Sequence, residues 1–532
     1  MSAMAGRLGI DFGTSNTVIS LWDTSKRDSQ TLQLADYSRA QESKDGSIYT
    51  IPSLIHYLED GGCLLGEQVL RKNLLHSPRT FQWMKRYICR RTYMDRQIDG
   101  KQVTFYEAGE RFLSEILRAS SKYLAAQDEE IALTVPVESF EDYSNWLAKI
   151  VHKTELYRFR VLDEPSAAGL GYGTRLNLGD TYLVFDFGGG TLDIAIVRVD
   201  SSGAADGQFC NVMGKSGVDI GGTTIDGWLF NEVLRRNHLK ESDDDVKAIG
   251  RLLLSECERV KESLSFNSRA SLDVLNPITG AMISTEFTQL EFEDLLDSNN
   301  AFAQIDRAIR RALKDAENNG LMEDNIDSVL MVGGSSIIPS VQKNLKRIFG
   351  NQRVRLSRPL DAVARGASAF VAGVAFQDYI QHDYAIRYVN PKTEGYEYRS
   401  IVRRGTKYPT KGKIANLLIK ASFDGQTKLG IPIFEIGGST GISGEQRVEV
   451  YFDDSGAARI QTITDKEFSR KNFFWINEGN PTFLRAEPPG NKGEPRFNVE
   501  FSIDENRRLL VTAIDVKNSN ILLRDYPVVK LT

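Results

Sequence analysis

The sequence predicts a duplicated α/β domain followed by an all-β sandwich, and three observations predict it. A strand–turn–strand unit occurs twice, as Gly9-Ile10-Asp11-Phe12-Gly13-Thr14-Ser15-Asn16 and as Val184-Phe185-Asp186-Phe187-Gly188-Gly189-Gly190-Thr191-Leu192-Asp193, with Asp11 and Asp186 at the same place in the two copies. A further apolar run, Ser328 to Val332, leads into the pair Gly333-Gly334. From Tyr384 to Thr532 helical periodicity is nearly absent, and short strand-like runs alternate with Gly, Pro and Asp turns. One small glycine turn is weak evidence. Two copies of strand, Asp-Phe-Gly and strand point to a duplicated fold with one nucleotide held between its halves.

Each part of the unit has a chemical reason. Glycine lets backbone approach a ligand closely, and turn N–H groups can point at phosphate oxygens. An aspartate at the mouth of such a turn suits a hard cation that bridges those phosphates. A glycine pair before a helix that begins near Pro339 can favour an anion, or let a base lie against backbone.

The elements follow in order. Thr17 to Trp22 returns from the first turn, and Ser53 to Tyr57 reads as another strand. Arg79 to Tyr93 is basic and aromatic; Lys85 within it is either part of a solvated helix face or a phosphate ligand. Arg111 to Ala125 and Phe140 to Thr154 have helical spacing, with a short strand, Ile131 to Pro136, between them. Two small-residue segments, Ser166 to Gly173 and Asp361 to Ala369, read as facing helices at a hinge, or equally as two ordinary buried helices. The loop before Asp226 carries Gly221-Gly222, and Asp226 to Leu239 is helical. Along the amphipathic helix Ala248 to Ser265, Glu258, Lys261 and Ser265 share one side, as a solvated face or as the lining of a cleft for a base or ribose. Strands fill Ala270 to Phe287, and Leu290 to Asn318 reads as a long helix interrupted near Asn299-Asn300. Gln377 to Asp383 looks like a linker, which divides the chain into 1–376, 377–383 and 384–532.

Composition bounds the function. The 532 residues call for about two to four domains. A net charge of −5 leaves no basic footprint for nucleic acid or an anionic membrane. The four cysteines are far apart in sequence, which fits a reducing compartment; with no signal-peptide core, the reading is cytoplasmic. No P-loop motif occurs, and the five histidines include no pair at metal-ligand spacing. Gly437 to Gly441 matches a nucleophile-elbow pattern but lacks a following helix, so it reads as a turn.

With these residues in view, Ile10 to Asn16, Phe185 to Asp193 and Val332 to Ser336 resemble the two phosphate motifs and the adenosine motif of the actin-like ATPase superfamily. Asp163-Glu164-Pro165-Ser166-Ala167-Ala168 and the appended β-domain narrow the resemblance to the DnaK-type heat-shock protein 70 chaperones. The resemblance implies a two-lobed, ribonuclease-H-like ATPase domain ahead of a β-sandwich that binds client polypeptides, with ATP or ADP and Mg²⁺ as ligands. Asp11 and Asp186 would hold Mg²⁺; Gly13, Thr14, Ser15, Gly188, Gly189, Gly190 and Thr191 would cradle phosphates. Lys85 matches the lysine that contacts the γ-phosphate and attacking water, and Glu164, Thr191 and Asp193 match residues that orient that water or the metal shell. Glu258, Lys261 and Ser265 match ribose and adenine contacts, with Gly333, Gly334 and Ser335 opposite and Gly221 and Gly222 in a further ligand-approaching loop. Arg160 and Asp163 match positions used for a J-domain co-chaperone, and the family also employs nucleotide-exchange factors.

The sequence departs from the family in several places. Ile337 stands where an arginine usually stacks on adenine, Glu262 where a basic or apolar residue often sits, and Leu360 replaces a common aspartate. Ser144 replaces an arginine tied to interdomain signalling, the aliphatic linker has become Gln381 to Ile386, and Pro432 interrupts the strand run expected at the peptide groove. The sequence ends directly after the β-rich stretch, so the expectation is a β-domain without a helical lid. The leading reading is an ATP-dependent chaperone. The alternative is a nucleotide-gated interaction protein that docks one folded partner with little turnover; a filament or sugar kinase on the same fold leaves Tyr384 to Thr532 unexplained.

Overall fold

The structure is a computed structural model that describes residues 7–43, 46–89, 95–124, 129–137, 141–154, 158–172, 177–201, 208–276, 278–374, 376–380, 382–389, 396–436, 448–452, 458–462, 473–477, 481–504 and 507–531. The turn read at Gly437 to Gly441 lies outside these residues, as does the end of the basic stretch after Cys89. The chain divides into two compact units, Met1–Phe376 and Gln377–Thr532.

The first unit contains two sheets of matching order. In one, Leu8–Phe12 pairs antiparallel with its hairpin partner Asn16–Asp23 and parallel with Ile131–Val135, beyond which lies the parallel Phe159–Asp163. In the other, Thr181–Phe187 pairs antiparallel with Leu192–Ser201 and parallel with Ser328–Val332, beyond which lies the parallel Val354–Arg355. A third antiparallel strand follows each hairpin: Gly46–Pro52 in the first sheet and Gln208–Val218 in the second. The repeated Asp-Phe-Gly unit is therefore the central hairpin of each sheet.

Central placement explains the composition. Every residue of Thr181–Phe187 is buried, so the strand is apolar on both faces rather than alternating. Leu183, Phe185 and Phe187 enter a core shared with Leu253, Val260 and Leu264 of the helix Asp244–Leu264. On the opposite face, Val184 and Val197 pack against Gly169 of the helix Glu164–Tyr172. A separate core under the first sheet joins Ile10 and Phe12 to Phe112, Ile116 and Trp146.

Helix ends show what the periodicity alone underread. The helix expected from Arg111 spans Phe105–Ser121, because Thr104 and Glu107 form a capping box with its N-cap about two turns earlier. The segment Leu290 to Asn318 is two helices, Gln289–Ser298 and Ala301–Asn318, and Asn300 between them adopts φ 58°. The helix expected from Asp226 starts at Gly222. The two small-residue segments do face each other, as Glu164–Tyr172 and Ala362–Val371. A Cβ on Gly366 would overlap the Ala167 carbonyl, and one on Gly171 the Ala362 carbonyl, so the backbones touch where they cross.

In the second unit every described regular element is a strand. One four-stranded antiparallel sheet runs Tyr396–Val402, Asp383–Val389, Ile433–Ile436, Phe473–Trp475; another runs Ala415–Lys420, Pro495–Ile503, Arg508–Asp515, Ile521–Lys530. Tyr384, Ile386 and Ile433 from the first share a core with Phe497, Val499, Phe501, Leu509 and Val511 from the second. The polar stretch read as a linker is not free chain: Asp378 and Tyr379 pair with Tyr408 and Lys407, and Ile380 is fully buried. Its few apolar residues happen to be the ones that pack. Pro432 is a corner. Gln426–Ile431 pairs with Thr482–Gly490, whereas Ile433–Ile436 joins the sheet of Asp383–Val389. Asn477 spans the corner, accepting from the Ile433 N–H and donating to the Ile431 carbonyl, both at 2.8 Å.

Candidate functional site

The loops of the two central hairpins meet. A Cβ placed on Gly190 would lie 2.7 Å from Thr14 Oγ1, and one on Gly189 2.9 Å from Ser15 Oγ. A side chain at either glycine would have to push these hydroxyls aside. A third junction joins them: Ser335 donates to the Gly188 carbonyl at 2.9 Å, and Gly333, at φ 82°, lies where any Cβ would overlap the Phe187 carbonyl. The helix Gly222–Arg236 is anchored to the same turn, with Gly222 N donating to Gly188 O at 3.0 Å and Thr223 N to Gly189 O at 2.8 Å. Gly221 packs directly on the Gly190 backbone.

These turns wall a cavity of about 450 Å³. Of the residues singled out from sequence, Asp11, Gly13, Thr14, Ser15, Lys85, Glu164, Asp186, Gly188, Gly189, Gly190, Thr191, Gly222, Glu258, Lys261, Ser265, Gly333, Gly334 and Ser335 line it. Asp193 and Gly221 stand just behind the wall. Asp193 Oδ1 accepts from the Val137 N–H at 2.9 Å.

Lys85 is not on a solvated face. It is buried and forms an ion pair with Glu164, the first residue of a crossing helix. Thr134 donates to Asp11 at 3.0 Å. Burial raises the carboxyls of Asp186 and Asp11, and like charge from Glu164 adds to the effect at Asp186. Burial, opposed by Lys85 but supported by Asp11 and Asp193, pushes Glu164 up to about 8. Asp193 rises to about 6, again through burial, while hydrogen bonds from Thr191 and Val137 hold it down. Burial would depress Lys85, yet Glu164 and Asp11 more than offset that and hold it above its ordinary value. The ammonium thus keeps its charge and the carboxylates compete for protons. Three buried carboxyls and the half-buried Asp11 around one ammonium hold protons that a cation brought with a ligand would displace.

Toward its outer end the cavity is lined by residues of the helix Asp244–Leu264. Lys261 is 2.8 Å from Asp226 Oδ1, and burial pushes Glu258 up to about 7. Lys261 is therefore committed to an internal pair that spacing alone does not show. Ile337, Glu262 and Leu360 all line the cavity as well. Arg39 escaped the sequence reading, since no motif marks it. It lines the cavity, donates to Asn16 Oδ1 at 3.0 Å, and keeps a buried Nε with no hydrogen-bond partner among the described residues. A glycine-walled cradle, an orphan guanidinium donor and clustered carboxyls together fit a polyphosphate with a divalent ion.

A family profile described as "Hsp70 protein" matches residues 7–438. The chain belongs to the Hsp70 family. Over 544 residues this Hsp70-family chain is 28% identical to a "Chaperone protein dnaK" of Emiliania huxleyi, covering 96% of this chain and 77% of that one. It is 27% identical over 529 residues to a "Chaperone protein DnaK" of Thermosipho africanus, covering 96% and 78%, and 28% identical over 547 residues to a "Chaperone protein dnaK" of Guillardia theta, covering 96% and 77%. No helix among the described residues is long and apolar enough to cross a membrane.

One residue expected at a partner surface is elsewhere. Asp163 is buried; it accepts from Ser166 N at 3.0 Å and pairs with Lys215 Nζ at 2.5 Å. As the last residue of the edge strand Phe159–Asp163 in one sheet, it points to a lysine of the other rather than to solvent. Arg160 packs its guanidinium 3.8 Å from the Phe370 ring centroid.

Proposed function

We propose that this protein is an ATP-dependent molecular chaperone of the DnaK type. Residues 1–376 form a two-lobed, actin-like nucleotide-binding domain, and residues 377–532 form a β-sandwich that binds client polypeptides. The observation that carries the reading is the apposition of the two hairpin turns, Thr14-Ser15 against Gly189-Gly190, over a floor of Asp11, Asp186, Lys85 and Glu164.

In this reading the hydroxyls of Thr14 and Ser15 and the N–H groups of Gly189, Gly190 and Thr191 grip the phosphates, while the Gly188 N–H closes the turn on the Thr191 carbonyl at 3.0 Å. Asp11 and Asp186 would hold the nucleotide's Mg²⁺, and the ion would supply neutralisation of phosphate charge. Phosphoryl transfer to water needs little covalent help from protein; positioning and electrostatic stabilisation dominate. Lys85 offsets charge on the transferring group. Glu164 and Thr191 orient the attacking water, and Asp193, held by Val137, supports Thr191. The helices crossing at Gly171 and Gly366 serve as the hinge on which the lobes move, so that nucleotide state alters the grip on a client. Such couplings are typically about 1–3 kcal/mol. A J-domain co-chaperone and a nucleotide-exchange factor would act on this cycle.

Calorimetry of the intact protein with Mg-ATP, followed by turnover assays on Lys85→Ala and Thr191→Ala, tests the proposal. Magnesium-dependent binding with turnover lost in both variants is expected. No uptake at all would overturn it, and tight binding without turnover in the native chain would favour nucleotide-gated docking of a partner.

A further inference from the structure

The nucleotide reading gives no role to Phe266, the residue after Ser265. Phe266 is 76% exposed, yet it lines the cavity in which Asp186 and Lys85 are buried. It therefore stands at the mouth. Its backbone is fixed by the last turn of the helix: Phe266 N donates to Ser263 O at 3.0 Å, and Asn267 N donates to the same carbonyl at 2.8 Å. A phenyl ring held on fixed backbone at a cavity mouth offers a flat apolar face to a planar group that enters. Half-buried Ile337 lines the same cavity from the turn after Ser328–Val332.

Charge fixes which end of a nucleotide belongs here. Lys261 is bound to Asp226, and Glu258 and Glu262 add only acid to this end of the cavity. A phosphate is disfavoured beside those groups, whereas the glycine turns that welcome it lie deep. The base must then lie outward.

We propose that Phe266 and Ile337 form an apolar slot in which Phe266 stacks on the base of the bound nucleotide. The inference rests on the nucleotide reading above. Neither side chain carries a hydrogen-bonding group, and a stacking face is tolerant because every base presents a π surface. The slot consequently takes either purine, and selects purines by stacking area rather than by reading an edge.

Calorimetry on the full chain with ADP, GDP and inorganic pyrophosphate, each with Mg²⁺, tests this. Phe266→Ala is expected to weaken ADP and GDP by about tenfold to a hundredfold while leaving pyrophosphate unchanged, since stacking is worth that much and touches only the base. Phe266→Trp should restore ADP binding, and native ADP and GDP affinities should agree within about tenfold. ADP binding unchanged in Phe266→Ala, or pyrophosphate weakened as much as ADP, overturns the stacking role. A preference for ADP over GDP of about a hundredfold or more overturns purine tolerance. A native chain that binds pyrophosphate but not ADP overturns this inference alone; one that binds neither overturns the nucleotide reading and this one with it.

Discussion

The N–H of Val137 donates to Asp193 Oδ1 at 2.9 Å. Val137 lies just past the strand Ile131–Val135 of one sheet, and Asp193 lies in the second central hairpin, in the other. A single hydrogen bond therefore spans the two sheets immediately behind the cavity. Asp193 sits opposite Asp186 in the hairpin register, so the carboxylate that braces the sheets adjoins one that faces the cavity.

Asp193→Asn keeps an acceptor for Val137, and Asp193→Ala removes it. The alanine variant should lose about 1–3 kcal/mol of stability, because a buried N–H is left unpaired. The asparagine variant should retain most stability yet turn ATP over more slowly. Chemical denaturation beside single-turnover hydrolysis separates the effects; equal stability for the two variants would argue against the bracing role.

Lys85→Ala leaves the Glu164 carboxyl buried without its ammonium. We expect hydrolysis to fall by about a hundredfold to a thousandfold, as when one charge-stabilising donor is removed. ADP affinity should change far less, since Lys85 is read as acting on the transferring group. A parallel loss in ADP binding would instead make Lys85 a general phosphate anchor.

The crossing of Glu164–Tyr172 and Ala362–Val371 depends on absent side chains. Gly366→Ala should cost about 1–3 kcal/mol or more, because the new methyl meets backbone that cannot move aside. Gly250→Ala, on a helix position with open space around it, should instead stabilise by about 0.5–1 kcal/mol. Opposite shifts in melting temperature are the expected readout.

Burial raises Glu164 from 4.5 to about 8 and Asp193 from 3.8 to about 6. The folded state binds these protons more tightly than the unfolded one. Their contribution is fully present below the unfolded values and is lost as pH rises through the folded ones. Without ligand, these groups should cost stability as pH climbs from 4.5 toward about 8. Mg-nucleotide supplies a cation and displaces protons, so its affinity should rise over that window. Melting curves against pH, with and without Mg-ADP, check both signs.

Lys215→Met leaves the Asp163 carboxylate buried without that ammonium and should cost about 3–5 kcal/mol; adding Asp163→Asn should recover part of it. Denaturant titrations of the single and double variants measure the coupling.

Local chemistry made much of this protein legible from its residues in order. The paired Asp-Phe-Gly hairpins, the glycine pair at 333–334 and the change of texture after Phe376 depend on backbone conformation and apolar period, which neighbours in sequence specify. Contacts between distant segments are another matter. That Lys85 turns inward to Glu164, that Lys261 is held by Asp226, that Asp163 is sealed by Lys215 and that Arg39 reaches the cavity all depend on which elements pack together. The same holds for the strand inside the supposed linker and for Pro432 turning the chain from one sheet to the next. A charged side chain looks the same in sequence whether it faces water or an opposite charge. Only the tertiary arrangement decides whether it is desolvated and which partner it meets, and those two terms set its chemistry.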